Sequence, residues 1–289
     1  MKLGVIGGSG VYGIHGASVV AEHQVDTAFG APSDKVFELQ PDADGANPFY
    51  FVPRHGIGHR LLPSEINYRA NILALKQMGV SHVLSVSAVG ILADGIHPGD
   101  LVIPDQFFDR TKGVRESTFF GGGVVGHVSF GTPFCPVFSE ITANIAENHS
   151  NVHRGGTYVC MEGPQFSTKA ESIFYREQLK ATVVGMTGLP EAKLAREAGL
   201  HYAMVALATD YDCWNETEGE VSAAAVVAVV KGNVAKANGV ILDLAKNVSG
   251  KFSAQTQSCS CASATSHAVM TAPSHISAAA RERLHEIVP

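Results

Sequence analysis

Short apolar runs ending in glycine or aspartate recur along the chain, at Leu3 to Ile6, Pro48 to Val52, His82 to Val86, Leu101 to Ile103, Thr157 to Cys160, Thr182 to Val184 and His201 to Leu207. Runs of this length, bounded by turn formers, predict buried strands. Between them, Pro63 to Met78 places Ile66, Ala70, Leu73 and Gln77 on neighbouring helical turns and stops at Gly79, a residue suited to the backbone just past a helix end. Pro190 to Ala198 predicts a shorter helix, with proline at the first position, where a missing N–H costs nothing, and Gly199 after the end. A long helix is predicted from about Glu220 to Ala245. Strands alternating with helices predict an α/β protein: a mixed central sheet with helices on both faces.

Composition changes near Ser249, where Ser, Ala, Thr and His take over and helical spacing returns only at Ala278 to Ile287. This divides the chain into a body, 1–248, and a C-terminal tail, 249–289. With 289 residues, 45% of them hydrophobic, the body can bury a large core. A net charge of −6 without any run of Lys or Arg excludes the electrostatic footprint of a nucleic-acid binder, so any phosphate-bearing partner is expected to be small. No apolar stretch approaches the ~20 residues of a membrane helix. Met1 leads straight into the first strand without a signal-peptide pattern, and the expectation is a soluble, cytoplasmic protein.

Five cysteines, an odd and scattered set, do not make a secreted disulfide framework. Cys135, Cys160 and Cys213 read as buried free thiols. Cys259-Ser260-Cys261 in the tail fits a redox pair, a tail staple or incidental spacing, and the sequence leaves these open.

The densest chemistry is Ala208-Thr209-Asp210-Tyr211-Asp212-Cys213-Trp214, directly after a predicted strand. Ligands of mostly parallel α/β sheets bind outside the carboxyl ends of the strands, which is where Asp210 and Asp212 should lie. A carboxylate there accepts hydrogen bonds from an exocyclic amine or, when protonated, gives a proton to a leaving nitrogen, a pairing that suits an aminopurine. Gly7-Gly8-Ser9-Gly10 follows the first strand and lets backbone N–H groups and a hydroxyl approach an anion; it is neither a dinucleotide fingerprint nor a P-loop. Pro53-Arg54-His55-Gly56 ends another strand and offers a guanidinium fork suited to a tetrahedral oxyanion.

Gly7-Gly8-Ser9-Gly10, Arg54-His55-Gly56, Asn67-Tyr68-Arg69-Ala70-Asn71, Ser87-Ala88-Val89-Gly90, Met161-Glu162-Gly163-Pro164-Gln165-Phe166-Ser167, Gly185-Met186-Thr187 and Asp210-Tyr211-Asp212-Cys213-Trp214 occur in the order found in the methylthioadenosine phosphorylase branch of the trimeric purine nucleoside phosphorylases. The resemblance runs from residue 1 to about residue 247. It implies a purine nucleoside phosphorylase-like fold and phosphorolysis of 5′-methylthioadenosine to adenine and 5-methylthioribose 1-phosphate, with inorganic phosphate as co-substrate and no metal or organic cofactor. By the same resemblance Ser9, Arg54, His55, Ser87, Ala88 and Thr187 match phosphate-binding residues, Met186 a ribose contact and Phe166 the aromatic residue packed on the base. Asp210 and Asp212 match the pair reading the purine's imidazole and amino edge, with N7 assigned to Asp210 and the amine to Asp212. Ser167 and Ala223 match specificity positions, and the small Ala223 would enlarge the 5′ pocket.

His127 matches a histidine that a neighbouring subunit contributes to that pocket, which implies a homotrimer or a dimer of trimers. Gly188 departs from the pattern, which has a larger residue after Met-Thr, and in this the segment also resembles methylthioinosine phosphorylases. A broader purine nucleoside phosphorylase or a methylthioinosine phosphorylase would share the phosphate residues. A water-using nucleosidase would not need them, and the early glycines alone suggest a dinucleotide-binding module.

Overall fold

In the computed structural model, residues 2–8, 10, 11, 13–215, 223–247 and 259–288 are described, and of 223–228 only the backbone. Among these residues eleven strands form one mixed sheet. Its centre is built from the predicted apolar runs: β1 (Leu3–Gly7), β4 (Phe49–Pro53), β5 (His82–Ile91) and β11 (His201–Asp210). These four are mutually parallel, β1 lying between β4 and β5, and β5 pairing onward with β11. All but a few of their residues are buried, as expected for strands covered on both faces.

The sheet is extended by the three other predicted apolar runs, those beginning at Leu101, Thr157 and Thr182, and by four strands that the apolar pattern did not mark. β2 (Ala17–His23) and β3 (Val36–Pro41) add antiparallel at one edge, and most side chains of β2 are exposed. At the other side β10 (Val183–Gly185) turns antiparallel onto the end of β5, then β9 (Thr157–Met161) and β7 (Gln106–Arg110) follow. A branch through β6 (Leu101–Ile103) and β8 (Val152–Arg154) leaves from β11.

Helices cover both faces. α1 (Tyr68–Gln77) and α4 (Gly188–Glu197) pack into one apolar cluster with Ile72, Leu73, Leu75, Leu189 and Leu194. α2 (Pro136–Ala146) and α5 (Ala223–Asn247) form the opposite one with Phe138, Ile141, Val240, Ile241 and Leu244. α1 starts five residues later than the pattern suggests, because Asn67 caps it by accepting from the Ala70 N–H while its own amide reaches Phe29 O. Leu189 has extended backbone, φ −118° and ψ 141°, so regular helix begins at Pro190, where proline is tolerated. α3 (Lys169–Glu177) starts with a reciprocal capping box between Thr168 and Glu171.

The junction near residue 249 lies outside the described residues. Residues 259–288 pack on the body: α6 (Ala278–Leu284), capped by Ser277, buries Ala280 and Leu284 in the same cluster as α1 and α4, joined by Ile287. The segment also hydrogen-bonds along 125–127, from Met270 N to Val125 O and from His127 N to Ala268 O. Among the described residues no helix is long and apolar enough to cross a membrane.

Candidate active site

Strand register assembles the first half of the site. Gly7 pairs with Pro53 on one side and Val86 on the other, so the next residues, Gly8, Arg54 and Ser87, emerge abreast at the carboxyl edge. Gly8 permits that convergence: a Cβ there would stand 2.7 Å from Val86 O and 2.8 Å from Arg54 Nη1. Ser87 Oγ and Thr187 Oγ1 lie 3.2 Å apart, bringing hydroxyls from β5 and from the start of α4 together beside Arg54. Ala88 follows Ser87 on β5 and is half-buried. Ser9, the remaining member of the expected phosphate set, lies outside the described residues.

Arg54 is fully buried and already engaged. Nε and Nη2 donate to the two oxygens of Glu191 at 2.8 and 3.1 Å, Nη2 also to Ser85 Oγ at 2.6 Å, and Nη1 to Val86 O at 3.1 Å. Burial alone would lower the guanidinium pKa, but Glu191 outweighs it and holds the group charged. Nη1 lies next to Gly8, where a Cβ would stand 2.8 Å from it. Glu191 in turn accepts from Tyr202 Oη at 2.9 Å. The guanidinium is thus a fixed, pair-neutralised fork rather than a free cation.

His55 is buried, stacked on His59 at 4.2 Å, with Nδ1 2.9 Å from Leu61 O. Burial lowers its pKa to about 4, assisted by Arg54 and only partly opposed by the Leu61 carbonyl. The ring is neutral near pH 7. Because Leu61 O can only accept, Nδ1 carries the proton and Nε2 is an acceptor.

The carboxylate end is set by β11. A bulge between Ala208 and Asp210 places Asp210 opposite Gly90, three positions beyond Ser87 and about 10 Å along an extended strand. Gly90 makes room, since a Cβ would approach Asp210 Oδ1 and Asp212 Cβ to 3.3 Å. Asp210 Oδ1 accepts from Asp212 N at 2.9 Å, and Oδ2 lies 2.6 Å from Thr209 Oγ1, which is itself 3.0 Å from Val89 O. One hydroxyl proton cannot serve both acceptors. Thr209 Oγ1 therefore donates to Asp210 Oδ2 or to Val89 O, one at a time.

Asp212 has left-handed backbone, φ 50°, is buried, and its Oδ2 has no hydrogen-bond partner among the described residues. Burial raises the pKa of both carboxyls. For Asp210 the Thr209 hydroxyl and the Asp212 N–H pull back, and burial outweighs them. The result is a pair of buried carboxyls that both hold a proton more readily than a free aspartate does.

A family model described as the phosphorylase superfamily matches residues 2–246. The chain belongs to the phosphorylase superfamily. This phosphorylase is 49% identical over 287 residues to the S-methyl-5′-thioadenosine phosphorylase of Geobacter sulfurreducens, covering 99% of its own length and 97% of the relative's. It resembles a crystal structure of a methylthioadenosine phosphorylase from an antarctic soil metagenomic library, with a TM-score of 0.89, 42% identity, and coverage of 100% of this chain and 99% of the other. A variant adenosine/methylthioadenosine phosphorylase of Schistosoma mansoni, solved with methylthioadenosine, matches with a TM-score of 0.81 and 35% identity over 89% of this chain and 94% of that one.

The phosphorylase joins further expected residues around this edge. Met186 packs on the 161–163 turn, where a Cβ on Gly163 would lie 2.5 Å from its sulfur. Ser167 donates to Met161 Sδ at 3.4 Å, its carbonyl faces Cys213 Sγ, and Phe166 beside it is 44% exposed. His127 is exposed in the single chain. The side chain of Ala223 lies outside the described residues. Gly188 has a local cause: a Cβ would meet the Phe107 ring at 2.5 Å, so the larger residue of the resembling pattern has no room here.

Two buried ion pairs escaped the sequence. Glu191 was legible only as a residue in a helix's first turn, 137 positions from Arg54. Arg115, in a loop, donates to Glu162 Oε1 at 2.6 Å and to the carbonyls of Met186 and Leu189 at 2.6 and 2.8 Å, tying the 161–163 and 186–189 turns together. No local periodicity couples partners so far apart.

Proposed function

We propose that this phosphorylase is a pentosyltransferase that cleaves 5′-methylthioadenosine with inorganic phosphate, releasing adenine and 5-methylthioribose 1-phosphate. The observation that carries the reading is the register of β1 against β4 and β5 and of β5 against β11, which sets Arg54 and the Ser87 hydroxyl at the same sheet edge as the buried carboxyl of Asp210. The named relatives support the same chemistry.

Phosphate lies against Gly8, Arg54 Nη1, Ser87, Ala88 and Thr187, and by resemblance Ser9 is a further phosphate ligand. His55 accepts at Nε2 from a protonated phosphate oxygen. A phosphate oxygen attacks the anomeric carbon as its bond to purine N9 breaks; the bonding pair passes into the purine, and N7 takes a proton from Asp210. Asp212 accepts from the exocyclic amine through its otherwise unpartnered oxygen. A 6-oxopurine would set a carbonyl oxygen against that acceptor, which disfavours it by orders of magnitude. Phe166 covers the base and Met186 the ribose, while Ser167 and Ala223 shape specificity.

A homotrimer, or a dimer of trimers, completes the pocket when His127 reaches a neighbouring subunit. In support, His127 is flanked by Val125 and Met270, which are 52% and 68% exposed and joined through their backbones. No cofactor enters the reaction, and a cytoplasmic setting suits its salvage substrates.

The test is base release from methylthioadenosine, adenosine, methylthioinosine and inosine with and without phosphate. Adenine release from methylthioadenosine that requires phosphate is expected. Turnover in phosphate-free buffer, or faster hypoxanthine release, overturns the reading.

A further inference from the structure

Cys135, His201, Cys259 and Cys261 come from three distant parts of the chain, yet their ligand atoms all lie within 4.8 Å of one another. Cys135 is the N-cap of α2, His201 the first residue of β11, and the two remaining cysteines open the segment that packs back on the body. Cys135 Sγ is 3.7 Å from Cys259 Sγ, and His201 Nδ1 is 3.4 and 3.2 Å from those two sulfurs. A tetrahedral ion with Zn–S and Zn–N bonds of about 2.3 and 2.0 Å has S···S and S···N edges of about 3.8 and 3.6 Å. The observed edges match this within a few tenths of an ångström. A disulfide needs its sulfurs at about 2.0 Å, and all five cysteines are free.

We propose that these four residues form a structural Cys3His site for zinc or a similar thiophilic divalent cation, pinning the 259–288 segment to the sheet. Each thiol releases its proton to solvent as it ligates; His201 binds through Nδ1, and a divalent ion with three thiolates leaves one net negative charge. Several features of the surroundings serve this state. The Phe138 N–H donates to Cys135 Sγ at 3.4 Å from the first turn of α2, where the helix favours a thiolate. Arg196 lies near enough to act electrostatically on Cys261. His201 is held by stacking on His82 at 4.2 Å, and Cys135 is tied to β11 by its N–H to Tyr202 O.

Reading these cysteines as apolar filler explains their burial but not the imidazole nitrogen aimed among them. The consequence reaches beyond the site. The segment that the ion anchors supplies the backbone partners of Val125 and His127, so the metal holds in place the loop proposed to complete a neighbouring active site.

The experiment uses the full-length protein purified under reducing conditions, with metal content measured by mass spectrometry and the apoprotein titrated with cobalt(II). Stoichiometric zinc and a thiolate-to-cobalt charge-transfer band with tetrahedral visible bands are expected. Cys259→Ser/Cys261→Ser should lose the band, whereas His201→Cys should keep a shifted one. Zinc should raise the unfolding midpoint of the native protein and not of the double variant. Reduced native protein that gives no cobalt–thiolate band overturns the proposal, as does metal-free protein whose mass shows hydrogens lost to a disulfide. These readouts do not depend on phosphorolysis, so the site and the activity fail separately.

Discussion

Replacing Arg54 should damage stability and phosphate binding together, and a second substitution should separate the two. Arg54 and Glu191 have 0% and 1% of their side chains exposed and meet through two hydrogen bonds. Removing one partner of a buried pair leaves an uncompensated charge, at a cost of about 3–5 kcal/mol. That is a large fraction of the ~5–15 kcal/mol by which domains are stable. Arg54→Met should therefore shift the urea midpoint strongly downward while raising the phosphate needed for half-maximal rate by orders of magnitude. Arg54→Met/Glu191→Gln removes both charges and should recover most of the stability, because replacing a buried pair with uncharged residues is often close to neutral. Its phosphate saturation should stay as poor as in the single variant. The assays are urea unfolding and initial rates of adenine release against phosphate. A single variant as stable as the parent would refute the buried pair, and a double variant with parental phosphate saturation would remove Arg54 from the anion site.

Asp210→Asn should slow adenine release and shift the adenosine-to-inosine rate ratio toward inosine, since an amide donates to a carbonyl but cannot supply the proton; an unchanged ratio counts against the assignment. Asp212→Asn should stabilise the free enzyme near neutral pH: burial raises the folded carboxyl above its unfolded value of 3.8, so its destabilisation grows as pH rises through that window and is absent below it. Urea midpoints of parent and variant that diverge on acidification instead would contradict this. His55, depressed to about 4 against an unfolded 6.5, contributes stability that is full above pH 6.5 and lost as pH falls toward 4. His55→Asn should flatten that part of the profile. Gly188→Ala should cost about 1–3 kcal/mol in urea unfolding, because the new methyl group meets Phe107, and native stability would show that the ring yields freely.

The central strands were legible because they are buried on both faces and so read as continuous apolar runs: β1, β4, β5 and β11 begin within a residue of the predicted positions. α4 and α5 were legible from proline, glycine and helical spacing. β2, with mostly exposed side chains, and α3, which buries only Ser172 and Tyr175, present too little apolar surface to signal themselves. The motif residues at strand ends were found for the same local reason, each following a run that stops. Tertiary structure decided what meets across the chain. Register put Gly8, Arg54 and Ser87 abreast, and a single bulge aimed Asp210 past Gly90. Folding turned Arg54 from an apparent free cation into the partner of Glu191, and brought Cys259 and Cys261 to Cys135 and His201. Sequence patterns report burial along one element, whose period is local. Pairing between elements depends on packing and charge compensation in space, which no spacing along the chain records.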